Sequence, residues 1–334
     1  MNKENSPRDI RGIDFPWDAT LETKLKFVVN YAALAPSTHN TQPWLFRITD
    51  RSVEIFADRS RALAVVDPDD RALTISCGAA TGNLCAALDA VGLDHSLHVF
   101  PNIAEPDLVT RITLKPERDQ DSDWLIKLDA IHKRKTVRAG FRDKPLPVDY
   151  LIESAAGVST EHAVMCVNCD PECEFEVLAA VQQADSIWSA DKHFMRENAS
   201  WMHPLRKRSR DGVPARSTKL PSSKELWSAP MQFLGSGERR TLTGAVLTDR
   251  DAPMDWANSG IVLSNMLNKV AGRGIGAALM SHPLFLAPTH LLIKESLKTE
   301  SIPQILVRFG YPERSPATPR RPLVDVMLHP GFGR

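Results

Sequence analysis

The chain has 334 residues and a formal net charge of zero, because 41 lysines and arginines balance 41 aspartates and glutamates. At roughly 150 residues per domain, this length predicts two domains or one large one. Hydrophobic residues make up 43% and charged residues 25%, which is typical of globular proteins and excludes disordered and fibrous classes. Nucleic acid is disfavoured as a partner because there is no basic excess.

The sequence predicts a cytoplasmic protein that does not enter a membrane. No window reaches the roughly 18 apolar residues that a spanning helix needs, and the longest candidate, 75–93, is interrupted by Asn83 and Asp89. The first ten residues lack the apolar stretch of a secretory signal. Five cysteines, an odd number in a long chain, favour reduced thiols over a disulfide framework.

Apolar periodicity and turn residues predict helices mixed with short strands. Pro36 ends the first helical pattern, Asp67 and Pro68 can begin the second, and Gly92 can end it. The predicted helices are 21–34, 67–91, 124–133 and 148–156. The predicted strands are 44–49, 53–57, 96–100, 109–114, 242–248 and 304–309, followed by an extended tail at 311–322.

Two weak echoes within the chain predict an internal repeat. Ala33, Ser37 and Thr38 recur 122 positions later as Ala155, Ser159 and Thr160. Gly78, Asn83 and Gly92 recur 182 positions later as Gly260, Asn265 and Gly274. The second copy would therefore carry about sixty extra residues. Their middle part, 203–226, is basic, rich in proline and serine and without an apolar period, so a lid over a site and a plain disordered loop remain alternatives.

Three polar segments could bind a cofactor. Residues 35–44 read APSTHNTQPW, a proline-stiffened loop whose hydroxyl and amide groups suit the edge of a flat heterocycle; a capped helix–strand connection is the alternative. Residues 134–138 place two arginines around a threonine at a spacing that can grip a phosphate. Residues 319–322 hold two arginines between prolines. For either arginine segment alone, a solvated charge cluster is the alternative.

Two other patterns do not predict a site. His162, Cys166, Cys169 and Cys173 are zinc-ligand types, but 163–167 predicts a strand and the chain lacks paired Cys-x2-Cys knuckles, so we predict no metal. The residues from Gly260 to Gly274 predict a helical segment that ends in glycine. The alternating glycines at 272–276 follow this segment rather than a strand, which excludes a dinucleotide-binding loop.

Taken together and in this order, four segments resemble the nitroreductase family, and more narrowly its internally duplicated Acg-like branch. They are 35–44, 134–138, 303–312 and the TPRRP tail at 318–322. The resemblance covers residues 20 to 330. It implies an FMN-dependent nitroreductase-like α+β fold that is duplicated in one chain as a pseudo-dimer. The first half would be 20–118, and the second half would be 122–330 with a lid-like insertion at about 171–230.

The resemblance also implies one FMN site that both halves build. The matching residues are Ser37, Thr38 and Asn40 in the loop that reaches FMN from a partner subunit; Arg134, Lys135, Thr136 and Arg138 in the phosphate and ring motif; Met280 and Ser281 in the stretch whose backbone amide faces flavin N5; and Arg320 and Arg321 in the C-terminal phosphate-binding pair. No side chain is predicted to act as a catalytic acid or base.

The implied function is that of an FMN-binding flavoprotein and NAD(P)H-dependent oxidoreductase that reduces nitroaromatic or quinone-like acceptors. Its partners would be NAD(P)H and a small aromatic acceptor, and the chain would be a monomer that mimics a dimer, or a weak homodimer. The alternative is an FMN storage or sequestration protein with little or no nitroreductase activity, in which the lid blocks nicotinamide from the flavin.

Overall fold

The structure is a computed structural model that describes residues 6–116, 119–168, 170–202, 209–213 and 240–328. Its α-helices are α1 (Leu21–Ala32), α2 (Arg71–Ala90), α3 (Trp124–Lys133), α4 (Val148–Ala156), α5 (Pro171–Ala190), α6 (Lys192–Trp201), α7 (Pro253–Gly272), α8 (Ala287–Ser296) and α9 (Leu323–Val326). Its strands are β1 (Trp44–Ile48), β2 (Ser52–Ala57), β3 (His95–Val99), β4 (Leu108–Leu114), β5 (Val164–Asn168), β6 (Thr241–Thr248), β7 (Gly276–Met280) and β8 (Ile302–Gly310).

The strands form two four-stranded antiparallel sheets with the same topology, in the orders β1-β2-β4-β3 and β5-β6-β8-β7. In each sheet, a helix of 20 residues connects the second strand to the third, namely α2 in the first sheet and α7 in the second. The predicted α+β class is therefore confirmed. The repeated topology supports the internal duplication, which stays a prediction.

The first elements form where the sequence predicts them. Thr20 caps α1 by accepting a hydrogen bond from the backbone N–H of Thr23, and the apolar side of the helix is buried. The helix α2 begins at Arg71 instead of at the predicted Asp67. The reason is that the Asp67 carboxylate accepts hydrogen bonds from the N–H groups of Ala72 and Leu73, so it caps the helix from outside.

The two long helices pack on each other and on their own sheets, α2 on β1, β2 and β4, and α7 on β5 to β8. A buried polar network fixes their contact. Asn83 on α2 accepts hydrogen bonds from Ser264 (2.7 Å) and Asn268 (2.9 Å) on α7, and donates one to the carbonyl of Tyr31 (3.1 Å) on α1. Because these hydrogen bonds are directional and lie in the interior, they set the register of the two helices.

Two segments outside the strands pair with edge strands of the sheets. The segment after α3 adds to the edge of the second sheet, where the N–H of Val137 donates to the carbonyl of Ala277 on β7 (2.8 Å). The C-terminal segment returns to the first sheet, where the N–H of Leu328 donates to the carbonyl of Phe46 on β1 (2.8 Å). Residues 134–138 and 318–322 both reach the loop that follows α1, where Arg134 and Arg320 donate to the carbonyl of Leu34.

The connection between the first two strands is far longer in the second sheet than in the first, and it begins with α5 and α6. Neither helix is among the predicted ones, although Asp170 before Pro171 and Asp191 before Lys192 are helix-starting residues that cap both helices. Of the irregular stretch predicted at 203–226, residues 203–208 and 214–226 lie outside the described residues, as does 227–230 of the lid-like segment. No helix among the described residues is long and apolar enough to cross a membrane.

Candidate active site

A cavity of about 760 Å³ lies between the loop after α1, the segment after α3, the end of β7 and the helices α5 and α6. Its lining includes Ser37 and Thr38 from the loop, Thr136 and Arg138 from the segment after α3, Met280 and Ser281 from the end of β7, and Gln182, Asp185, Trp188, Phe194 and Asn198 from α5 and α6. Six of the eleven predicted cofactor-binding residues therefore line one cavity. A volume of this size matches the pockets that hold small-molecule cofactors.

The loop after α1 has an unusual backbone. His39, Asn40 and Gln42 have φ angles of 50°, 58° and 54°, in the left-handed region that residues other than glycine rarely adopt. Ser37 holds the loop by accepting a hydrogen bond from the N–H of Gln42 (2.9 Å). Such strain persists only where the surroundings fix the conformation, and it clusters at functional sites. The loop wall of the cavity is therefore preorganised.

Two guanidinium groups pack beneath this loop. Arg134 donates to the carbonyl of Leu34 (2.8 Å) and Arg320 donates to the same carbonyl (2.9 Å) and to that of Ala35 (3.1 Å). Both side chains are buried. Asn40 does not line the cavity. Its side-chain oxygen Oδ1 accepts a hydrogen bond from Nη1 of Arg320 (2.8 Å), so it positions that guanidinium.

The electrostatics of this cluster favour an anion. Desolvation, followed by the charges of Arg8 and Arg138, lowers the pKa of Arg134 to about 9. Desolvation and the charges of Arg8, Arg134 and Arg138 lower the pKa of Arg320 well below its usual value. Every one of these influences destabilises the charged forms. A dianionic phosphate at this position would reverse the balance, because it attracts all of the cations.

Buried guanidinium nitrogens without hydrogen-bond partners also indicate an anion site. Nε and Nη1 of Arg134 and Nε of Arg320 are buried and have no hydrogen-bond partner among the described residues. A buried donor without an acceptor costs roughly 1–3 kcal/mol, and more when it is charged. The cluster therefore holds donors that fit the oxygens of a phosphate group, and Arg138 places a further cation in the cavity wall.

Two of the predicted residues are not brought into this cluster. Arg321 is engaged elsewhere, because its Nη1 donates to the carbonyl of Gln42 (3.1 Å) and lies 3.4 Å from a carboxylate oxygen of Asp58. Lys135 is half-buried and does not line the cavity. The segment around it turns its alternate residues, Thr136 and Arg138, toward the cavity instead.

Sequence reasoning missed several polar residues of the cavity. His39 lies within the recognised loop, and desolvation, with the charges of Arg138 and His282, lowers its pKa to about 4, so it is neutral near pH 7. Asp185 on α5 lies 3.0 Å from Nε2 of His282. Only tertiary structure joins these two residues, which are 97 positions apart, and no local signal in the sequence identifies them.

The insertion covers one side of the cavity and is attached to the first half. The rings of Trp188 on α5 and Phe194 on α6 pack against each other with centroids 4.6 Å apart. The carboxylate of Glu197 on α6 accepts hydrogen bonds from the N–H groups of Val65 (2.9 Å) and Val66 (3.1 Å). These contacts hold α6 against the loop that precedes α2.

Among the described residues, no group of three or more His, Cys, Asp or Glu side chains could hold a metal ion, and Cys169 lies outside them. The other four cysteines form no disulfide bond among the described residues. Burial raises the pKa of Cys77, and raises that of Cys173 to about 11, which keeps both as thiols near neutral pH.

No family profile matches the chain. It is 28% identical over 330 residues to the Mycobacterium tuberculosis (strain H37Rv) protein named "Putative NAD(P)H nitroreductase Rv3131", an alignment that covers 95% of this chain and 93% of that protein. A second protein of the same organism, acg, carries the corresponding name and is 27% identical over 317 residues, or 90% of this chain and 94% of that protein.

Two solved structures align with parts of the chain. The FMN and NADPH-dependent nitroreductase NfnB from Sphigopyxis sp. strain HMH aligns with 62% of this chain and 99% of its own, at 16% identity and a TM-score of 0.42. An iodotyrosine deiodinase bound to FMN and 3-iodo-L-tyrosine aligns with 58% of this chain and 94% of its own, at 15% identity and a TM-score of 0.39. The chain is thus similar over nearly its whole length to proteins named as NAD(P)H nitroreductases, which confirms the resemblance to the nitroreductase family that its motifs predict.

Proposed function

We propose that the protein is an FMN-dependent NAD(P)H oxidoreductase with a single flavin site between its two halves, 20–118 and 122–330. One observation supports the proposal most directly. Buried guanidinium nitrogens of Arg134 and Arg320 have no hydrogen-bond partner among the described residues, and Arg138, whose charge acts on both, lines the cavity. The similarity to proteins named NAD(P)H nitroreductases supports the same class of reaction. The paired halves would act as the two subunits of a dimer within one monomer.

In this proposal the arginines bind the phosphate of FMN, and Asn40 holds Arg320 in position. The polar side chains of Ser37, Thr38 and Thr136 offer hydrogen bonds to the ring system, as does the backbone at Met280 and Ser281. The bound flavin supplies hydride acceptance from NAD(P)H and electron delivery to the acceptor. Arg138 would hold positive charge in the cavity wall, which favours an anionic reduced ring.

The insertion serves as a lid in this proposal. Helices α5 and α6 give the cavity an apolar wall at Trp188 and Phe194, which suits a flat aromatic acceptor such as a nitroaromatic or a quinone. The hydrogen bonds of Glu197 with Val65 and Val66 hold this wall against the loop that precedes α2. No side chain needs to act as an acid or base for hydride to reach the flavin.

A second candidate function is FMN storage or sequestration with little or no nitroreductase activity. The attachment of α6 to Val65 and Val66 favours it, because a wall fixed in place would keep nicotinamide from a bound flavin. The two functions therefore differ in access to the cavity and share the same phosphate site.

An anaerobic titration separates them. Purified protein is loaded with FMN, and NADH or NADPH is added while the flavin absorbance band is followed. We expect the band to bleach within seconds and to return when a nitroaromatic or a quinone is added. A spectrum that stays unchanged for an hour, in protein that releases FMN on denaturation, would support storage. Protein that binds no FMN would contradict both functions.

A further inference from the structure

The N-terminal segment before α1 is fixed to the end of α3 by a reciprocal pair of hydrogen bonds. Nη1 of Arg8 donates to the carbonyl of His132 (3.2 Å), and Nε2 of His132 donates to the carbonyl of Arg8 (2.8 Å). His132 lies two residues before Arg134 in the chain. The backbone of the segment is therefore held next to the arginines that approach the cavity.

Aromatic packing anchors the rest of this segment. The ring of Phe15 lies 4.6 Å from Trp17 and 5.3 Å from Phe27 on α1, and Trp17 lies 5.1 Å from Trp124 on α3, all measured between centroids with edge-to-face geometry. Such pairs add to the free energy of burial. The segment is thus a packed strap across α1 and α3, and Arg8 sits near its beginning.

The side chain of Arg8 belongs to the arginine cluster. Its charge lowers the pKa of both Arg134 and Arg320, and desolvation lowers its own pKa to about 10. Nε and Nη2 of Arg8 are buried and have no hydrogen-bond partner among the described residues. One edge of the guanidinium is thus held by His132, and the remaining donors are buried near like charges.

The stability of the folded chain alone does not explain why Arg8 is placed near Arg134 and Arg320. Bringing another guanidinium near Arg134 and Arg320 raises the free energy of the folded chain through desolvation and like-charge repulsion. The arrangement becomes favourable when a multivalent anion joins the cluster, because each cation then gains an attractive partner.

We infer that Arg8 is a further ligand of the cofactor phosphate, and that the N-terminal strap binds FMN through it. This inference rests on the proposed function and adds to it a residue outside the recognised motifs. Because the strap then contributes to the bound state, phosphate binding and docking of residues 6–20 stabilise each other. A flavin without a phosphate would not give this coupling.

The test compares FMN with riboflavin, which has the same ring system and no phosphate. Dissociation constants are measured for the parent protein and for Arg8→Gln, Arg8→Lys and Arg11→Gln. Arg11 is the matched control, because it lies in the same segment, is exposed, and has Nη1 3.3 Å from Nδ1 of the same His132. Hydrogen exchange of residues 6–20 is measured with each ligand as a readout independent of activity.

We expect Arg8→Gln to weaken FMN binding by about 10- to 100-fold and to leave riboflavin binding unchanged. Arg8→Lys should lose less FMN affinity than Arg8→Gln, and Arg11→Gln should bind FMN like the parent. FMN, but not riboflavin, should slow hydrogen exchange in residues 6–20. Equal losses for FMN and riboflavin in Arg8→Gln would show a structural role and overturn the inference, as would FMN affinity equal to that of the parent. A parent that binds no FMN would instead contradict the proposed function.

Discussion

Gly78 of α2 and Gly260 of α7 lie against each other, and each meets the backbone of the other helix. A Cβ atom at Gly78 would lie 2.0 Å from the carbonyl oxygen of Ala257, and one at Gly260 would lie 2.0 Å from that of Ile75. The contact is reciprocal, as in a two-fold symmetric interface. These two glycines are the pair that the shift of 182 positions makes equivalent, so the contact supports the predicted repeat.

Substitution of either glycine should therefore separate the two halves. We expect Gly78→Ala and Gly260→Ala each to lower the free energy of unfolding by about 1–3 kcal/mol or more, because a methyl group cannot fit against a backbone carbonyl. Gly272→Ala, at the end of α7, is the control, since its Cβ would meet nothing closer than 3.8 Å. Urea denaturation measures all three. A Gly78→Ala protein as stable as the control would contradict this account of the interface.

Local sequence patterns predict some features of the fold and of the site but not others. Local patterns such as the apolar period of α1 and the alternation of β1 predict those elements closely, because burial of one face decides them. The motifs in the sequence predict a shared site, and six of the eleven residues assigned to it line the cavity. The pairing of Asp185 with His282, and the position of Arg8, depend on distant parts of the chain that no local pattern connects.

Substitutions of Arg134 and of Arg321 should have opposite effects on FMN affinity and on stability. Arg134→Gln removes a desolvated cation, so we expect FMN binding to weaken by about 10- to 100-fold while the flavin-free protein keeps or gains thermal stability. Arg321→Gln removes hydrogen bonds to Gln42 and Asp325 and a partner of Asp58, so we expect about 1–3 kcal/mol of lost stability with nearly unchanged FMN affinity. Fluorescence titration and thermal melts measure both. An Arg321→Gln protein that is as stable as the parent but fails to bind FMN would reverse this assignment.

His39 should make the flavin-free protein sensitive to acid. Its pKa is lowered from 6.5 in the unfolded chain to about 4 in the folded protein, so between these values the unfolded state binds a proton that the folded state does not. Stability is therefore present above pH 6.5 and is lost as the pH falls toward 4, by up to about 1.4 kcal/mol per pH unit. His39→Asn should remove this contribution to the pH dependence of stability, because asparagine tolerates the same positive φ. Denaturation curves at several pH values measure it, and parallel slopes for the two proteins would contradict the prediction.

Glu197 should control access to the cavity. In Glu197→Ala the N–H groups of Val65 and Val66 lose their acceptors, so α6 is released from the first half while its own helical hydrogen bonds stay intact. We expect bound FMN to be reduced several-fold faster by dithionite and to exchange faster with free FMN, because opening of a lid admits small molecules to the ring. Glu176→Ala, which removes an exposed carboxylate from α5, is the matched control and should behave like the parent. Stopped-flow absorbance measures the reduction. If both variants are reduced at the parental rate, the contact of α6 with the first half does not limit access, and the lid role of the insertion is contradicted.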